Sequence, residues 1–333
     1  MTRSYFIVIS LIIFTLLSAI AGLSYGPADI NHTQIFQCLV GNCPDKISQM
    51  VIWQVRIPRV LVGLVAGMGL AIAGAILQNT TRNPLADPYL FGIVSGAGLG
   101  VTIANISLTS IGLEQQLAIA LPLAAFLGAL LAIVIVLIIA KVLQRMEQLL
   151  LTGIAVSFML AAVTQFILFF GEPYATNRVI FWLMGSLARV EMSNFYAITA
   201  VLLITIVIIT ALHRQIDALL LGDESAASLG INVDKLRLLM LALCAALTAT
   251  IVAYCGGIGF VGLMIPHIVR QVFGVTTLKL IIGSALIGGI FLIWVDIIAR
   301  SALANAEIPI GIITSALGSI FFLFIMVKTR NIN

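Results

Sequence analysis

Apolar residues run along this chain in long unbroken blocks, separated by brief clusters of Gly, Pro, Asn and charge. They show neither the alternation of a barrel strand nor the single apolar stripe of a helix on a water-facing domain. Ten blocks are legible, at about 5–23, 58–78, 90–107, 116–140, 148–170, 195–212, 236–254, 258–273, 279–298 and 308–327. Each is close to the ~20 residues that carry a helix across a bilayer. Backbone amides in hydrocarbon must find partners within their own segment, so every block predicts a helix. The predicted fold class is all-α, a polytopic membrane protein with about ten transmembrane helices. The first block exceeds the apolar core of a cleaved signal, about 7–15 residues, and reads as a retained span.

Composition strengthens this picture. Of 333 residues, 61% are apolar and 9% are Asp, Glu, Lys or Arg, whereas soluble domains carry about a quarter charged residues. No interval between blocks could house a soluble domain, so residues 1–333 read as one membrane domain. The formal net charge of +4 raises the question of nucleic acid, but the 17 Lys and Arg stand singly or in pairs between the blocks. Topology accounts for them better. With both termini cytoplasmic, eleven of the 17 fall inside and six outside. The outer six include Arg56, Arg59 and Arg300.

Small residues recur four apart within the blocks: Gly63 with Gly67, Gly92 with Gly96 and Gly100, Ser284 with Gly288. Helices in lipid gain little from apolar contact with each other, so these ladders predict close backbone packing. The outer segment Tyr25 to Val55 holds Cys38 and Cys43. A short disulfide and two free thiols both fit, because a five-residue separation selects neither. Cys244 and Cys255 lie roughly 16 Å apart along one helix, too far to bond, and suit a core-filling role. The inner segment, about 213–237, is the most charged. Within it Leu221 to Ile231 reads as a short surface helix, with Asp223 and Glu224 on its positive end and Gly230 as a left-handed cap. About seven residues do not hold a helix in water, so the bundle itself or a partner must do so.

Catalytic signatures are missing. No GxxxxGK[ST] loop is present, which excludes ATP hydrolysis by that route, and the three histidines form no zinc pattern. No metal, cofactor or catalytic residue is predicted. His267, between Pro266 and Arg270, reads as an anchor near a helix end. An ion-coupled secondary transporter keeps acids at mid-membrane, yet the 13 acids here lie almost wholly between blocks. Asp296 precedes Arg300 by four residues, the spacing of a helical ion pair. An intramembrane enzyme would need a polar constellation inside the spans, and none is visible. A non-enzymatic conduit with an external energy source fits best.

Ordered motifs then give a resemblance. They are Gln54-Val-Arg56-Ile-Pro58-Arg59, Gly63-Leu-Val-Ala-Gly67, Arg82-Asn83-Pro84-Leu85-Ala86-Asp87-Pro88, Leu149-Leu-Leu-Thr-Gly153 and Trp182-Leu-Met-Gly185-Ser186. Further on come Leu221 to Gly230, Gly259 to Arg270, Asp296-Ile-Ile-Ala-Arg300 and Glu307-Ile-Pro309-Ile-Gly311. Over nearly its whole length the chain resembles the permease subunits of bacterial ABC importers for iron chelates, haem and cobalamin.

The resemblance implies a multi-pass permease in the cytoplasmic (inner) membrane. Two permease subunits, identical or paralogous, would join two cytoplasmic ATPase subunits and receive substrate from an outside binding protein. The pathway would run between the fifth and tenth spans of the two copies. Arg56, Arg59 and Arg300 match arginines that receive acidic residues of the binding protein, with capture of Arg300 by Asp296 as the competing reading. Gly222, Asp223, Glu224, Ser225, Ala226, Ala227, Ser228, Leu229 and Gly230 match the ATPase-coupling element. Asn83 and Leu85 match a cytoplasmic gate, and Met146 with Glu147 occupies a second gate where some relatives carry small hydroxyl residues. The implied cargo is a ferric siderophore or haem, then cobalamin, then a molybdate-type oxyanion.

Overall fold

The computed structural model describes residues 2–26, 28, 30–143, 146–303 and 306–330, with the backbone alone at 2–5, 140–143, 146, 147, 326 and 328–330. Among the described residues it is a bundle of helices without strands. α1 (Thr2–Ser24) leads through α2 (His32–Leu39) and α3 (Lys46–Met50) into α4 (Ile57–Thr81); wide π turns over Val51–Arg56 keep the chain helical between them. Next come α5 (Ile93–Ser110), α6 (Leu117–Leu143), α7 (Met146–Phe169), α8 (Pro173–Leu183) and α9 (Met192–Leu219). The chain ends with α10 (Asp223–Ser228), α11 (Val233–Cys255), α12 (Val261–Phe273), α13 (Thr277–Ser301) and α14 (Ile310–Arg330). Eight helices, α1, α4, α5, α6, α7, α9, α11 and α13, are long and apolar enough to cross a membrane, and α12 and α14 add two shorter apolar helices. All ten predicted blocks are therefore helices, the largest displacement of an end being at Leu219 of α9.

α4 lies at the centre. From Val62 to Thr81 only Leu64 and Met68 escape full burial, because its glycines and alanines let α9, α11, α12 and α13 close on it. A β-carbon at Gly67 would overlap the Gly288 carbonyl of α13, and one at Gly74 would overlap the Gly262 carbonyl of α12. Gly96 and Gly100 approach Gly128 and Ala124 of α6 in the same way. Gly67, Gly96, Gly100 and Gly288 are thus helix contacts, whereas Gly63 faces the Leu187 side chain between α8 and α9, and Gly92 takes φ 77° and starts α5.

Three interruptions of the helices meet against the α4 wall. They are the segment after α8, the residues between α11 and α12, and the approach to α14. The Ser186 amide donates to the Cys255 carbonyl at 2.8 Å, and the Ile310 and Gly311 amides donate to the carbonyls of Gly185 and Met184, each at 3.0 Å. The Ile258 amide donates to the Tyr89 hydroxyl oxygen at 2.9 Å. Gly262 sits beside Leu70 and Gly74, near the middle of α4. Irregular backbone at that depth is tolerable only because neighbouring segments satisfy it.

Two features depart from the pattern of blocks. The interval Tyr25 to Val55 is not a plain loop: it holds α2, α3 and the π turns, and Cys38 forms a disulfide with Cys43. α8 is an additional helix, too short and, with Asn177 and Arg178, too polar to register as an apolar block. Cys244 and Cys255 are buried free thiols, as core filling requires.

Candidate functional site

At the end of the bundle where α1 and α13 finish and α4 begins, Arg56, Arg59 and Arg300 are only 2%, 4% and 4% exposed. Arg59 Nε donates to Asp296 Oδ1 at 2.8 Å, while its two terminal nitrogens grip both oxygens of Glu307 at 2.9 Å. Arg300 Nε lies 3.3 Å from Asp296 Oδ2, a charge contact outside hydrogen-bond alignment, and its Nη2 donates to the Gly22 carbonyl at 2.7 Å. Arg56 donates to the carbonyls of Leu23 at 2.6 Å and Ala28 at 2.5 Å. Three cations face two carboxylates. The remaining positive charge is met by carbonyls at the negative end of the α1 dipole. The ion pair of Arg300 with Asp296, the competing reading, is present, and each guanidinium is already engaged within the chain. Glu307, 35% exposed, is the member of the cluster nearest to solvent.

At the opposite end, α10 is clamped on one side and bare on the other. Asp223 accepts from Arg82 at 2.7 Å and from two nitrogens of Arg237 at 2.7 and 3.0 Å. Asp217 anchors the start of α13 by accepting from the Thr277 amide and hydroxyl. Ala226 is fully buried, whereas Ala227 and Ser228 face outward and the flanking Leu221 and Leu229 are 70% and 66% exposed. Gly222 and Gly230 hold φ of 110° and 81°, so a side chain at either would strain the turns that bracket the helix. Glu224 and Ser225 are exposed beside them.

Hydrogen bonds from Arg237, then the charges of Arg237 and Arg82, hold the Asp223 carboxyl below the usual carboxylate range. A depressed pKa means that the clamp is complete above the ordinary range and is lost only as pH falls through the lower folded value. It therefore does not titrate near neutrality. Asp223→Ala is expected to change global stability by no more than about 1 kcal/mol, since the pair is well solvated. Amide exchange over 224–229 should quicken. Exchange indistinguishable from the parent would show that the arginines do not anchor the helix.

Asn83 and Leu85 lie on the turn between α4 and α5. Asn83 Oδ1 accepts from the Leu85 amide at 2.9 Å, Asp87 Oδ1 accepts from the Tyr89 amide at 2.8 Å, and Leu85 projects with 49% exposure. Burial pushes the Asp87 carboxyl up to about 6. The side chains of Met146 and Glu147 lie outside the described residues. Nearby, Arg270 is held by the side-chain oxygens of Gln78 and Asn79. His267 packs edge-on to Phe321 and pairs with Gln271, the anchoring role its sequence setting implied.

Sequence reasoning gave no role to Glu307, Arg82 or Arg237. Glu307 stood in a quoted motif, but nothing local marks it as the partner of a residue 248 positions away. Among the described residues, no group of His, Cys, Asp and Glu could hold a metal ion.

The family model described as the FecCD transport family matches residues 11–328. A cobalamin import system permease protein, BtuC, of Halobacterium salinarum is 38% identical over 84% of this chain and 74% of its own length. A hemin transport system permease protein, HmuU, of Yersinia pestis is 34% identical over 92% of each chain. A solved structure described as "an inward-facing conformation of a putative metal-chelate type ABC transporter" superposes with a TM-score of 0.84 at 30% identity, covering 97% of this chain and 99% of the other. With a family match spanning almost every helix and a shared architecture, this chain belongs to the FecCD transport family, as a multi-pass membrane permease of the ABC-importer type.

Proposed function

We propose that the chain is the membrane subunit through which an ATP-driven importer carries an iron chelate, a ferric siderophore or haem. The observation that carries the reading is α10. A short helix pinned from behind by Arg82 and Arg237, with Leu221, Ala227 and Leu229 bare in front, suits a separate ATPase that grips and moves it. Two such ATPases would serve two permease copies, identical or paralogous, with the α10 end and both termini in the cytoplasm. The whole chain would act as one permease domain. A binding protein would deliver substrate at the far end, on a surface that Arg56, Arg59 and Arg300 fix by tying together the ends of α1, α4 and α13. Asn83 and Leu85, with Met146 and Glu147, would close the cytoplasmic side. ATP and the binding protein would each favour one of two arrangements of the same bundle.

The permease of Yersinia pestis named for hemin supports the cargo. So does the apolar character of the exposed faces of α7 and α14, where Phe158, Phe166, Ile320 and Phe324 project. Such faces suit a bulky chelate better than a small oxyanion, which calls for basic side chains. Cobalamin is the second reading, favoured by the Halobacterium salinarum relative.

Uptake into proteoliposomes holding the permease and its ATPase, with the binding protein outside, tests the proposal. Iron-chelate uptake should exceed that of cobalamin and molybdate. Ala227→Trp should leave ATP hydrolysis running while uptake falls at least about tenfold, the consequence of losing roughly 1.4 kcal/mol or more of coupling. Uptake that proceeds without ATPase, on a proton or sodium gradient, would overturn it.

A further inference from the structure

α6 and α9 flank α11, and at the end of the bundle opposite α10 they leave a cleft of about 1230 Å³. A smaller cavity of about 630 Å³ adjoins it and shares Arg178, Arg189, Trp182 and Tyr254. Ile308 and Pro309, on the approach to α14, line the smaller cavity, but no residue of α7, of α14 or of that approach lines the larger cleft, which therefore stands apart from the proposed pathway.

Its two levels differ in chemistry. The depth is apolar, with Leu121, Phe126, Val201 and Ala253, and Ile119 and Leu123 on the α6 wall are 80% and 57% exposed. Phe126 and Val201 each lie nine residues inside their helices, so the apolar part reaches roughly 14 Å down. α6, α9 and α11 are helices of membrane-spanning length and hydropathy, and the short α8 closes the remaining side. What fills such a space in a bilayer is hydrocarbon chain.

The rim is polar. Arg178 rests 5.1 Å over the Tyr174 ring and reaches Asn105 Oδ1 at 3.3 Å, but neither it nor Arg189 forms an ion pair among the described residues. Deeper, beside the break between α11 and α12, Trp182 Nε1 and Tyr254 Oη have no side-chain partner among the described residues. Glu114 and Glu191 line the same rim. Two guanidiniums without a carboxylate partner match a phosphodiester, which arginine binds through paired N–H groups. Two carboxylates beside them match an ammonium.

We infer that the cleft is a binding site for one zwitterionic aminophospholipid of the adjoining leaflet. An acyl chain lies between α6 and α9, the phosphodiester meets Arg178 and Arg189, and the headgroup ammonium meets Glu114 and Glu191. The inference does not depend on which cargo the permease carries.

Trp182 provides the probe, because only Trp53 and Trp294 accompany it. The full chain in mixed micelles is titrated with phosphatidylethanolamine brominated in its acyl chains, and the Trp182 signal is taken as the difference between the parent and Trp182→Phe. Quenching should saturate at one lipid per chain and should weaken at least about tenfold in the Arg178→Gln/Arg189→Gln variant, as loss of charge-assisted hydrogen bonds requires. Brominated diacylglycerol, with the same tails and no phosphate, should quench far less. Equal quenching by both lipids, or no change in the arginine variant, overturns the site. Tighter binding of phosphatidylglycerol than of phosphatidylethanolamine overturns the ammonium assignment, and displacement by millimolar inorganic phosphate would show a small-anion site instead. Should the arginine variant fail to fold, the three-lipid comparison on the parent, repeated with Glu114→Gln/Glu191→Gln, decides the same question.

Discussion

Replacing Asp296 with alanine is expected to destabilise the bundle by about 3–5 kcal/mol, the cost of stranding buried charge after removal of one partner. Asp296 is the only carboxylate that touches both Arg59 and Arg300 among the described residues. Without it, Arg59 keeps Glu307, but Arg300 keeps only the Gly22 carbonyl, with 4% of its surface open to any other partner. Thermal unfolding of the purified chain, followed by tryptophan emission, measures the loss. Adding Arg300→Met to Asp296→Ala should recover part of it, because the stranded cation is then gone, and that recovery is the signature of a coupled pair. A melting temperature unchanged by Asp296→Ala would show that the cluster carries no load. The same geometry bears on docking. A carboxylate introduced at Arg59 would stand beside Asp296 and Glu307, so lost transport in that variant would reflect a damaged bundle as well as a damaged docking surface. Binding-protein affinity and unfolding must be measured together.

The second large effect is expected at the crossing of α4 and α13. Alanine at Gly67 or at Gly288 places a methyl group into the facing backbone, where no side chain can rotate away. Overpacking of this kind costs about 1–3 kcal/mol, and the two helices must separate to relieve it. The double variant should cost less than the sum, since the separation forced by one methyl group makes room for the other. Gly259→Ala is the control: the nearest atom to its new β-carbon is Ser315 Oγ at 4.0 Å, an ordinary contact. If the three single variants unfold alike, close backbone approach is not what holds α4 in place.

The amino-acid order alone carried the helical class, the ten apolar blocks, the ladders of small residues and the short helix that became α10. These follow from local rules. Block length is set by the hydrocarbon that a helix must cross, and four-residue spacing is set by the helix turn, so neighbours along the chain suffice to read them. Gly230 shows this well: its expected left-handed conformation appears at φ 81°. The position of Asn83 and Leu85 between the second and third spans was legible too.

Only the tertiary structure decided what those residues touch. Arg59 and Glu307 are neighbours solely because α4 and α13 pack face to face, and Asp223 meets Arg82 across 141 positions because α9 and α11 bring α10 against the end of α4. α8 escaped notice because its polar positions break the apolar block, yet they are what furnish Arg178 and Trp182 to the cleft beside α6. The cause is the same in each case. Partition into lipid acts on every segment separately and leaves its mark in composition, whereas ion pairs and clefts arise from the order in which helices assemble, which no single segment encodes.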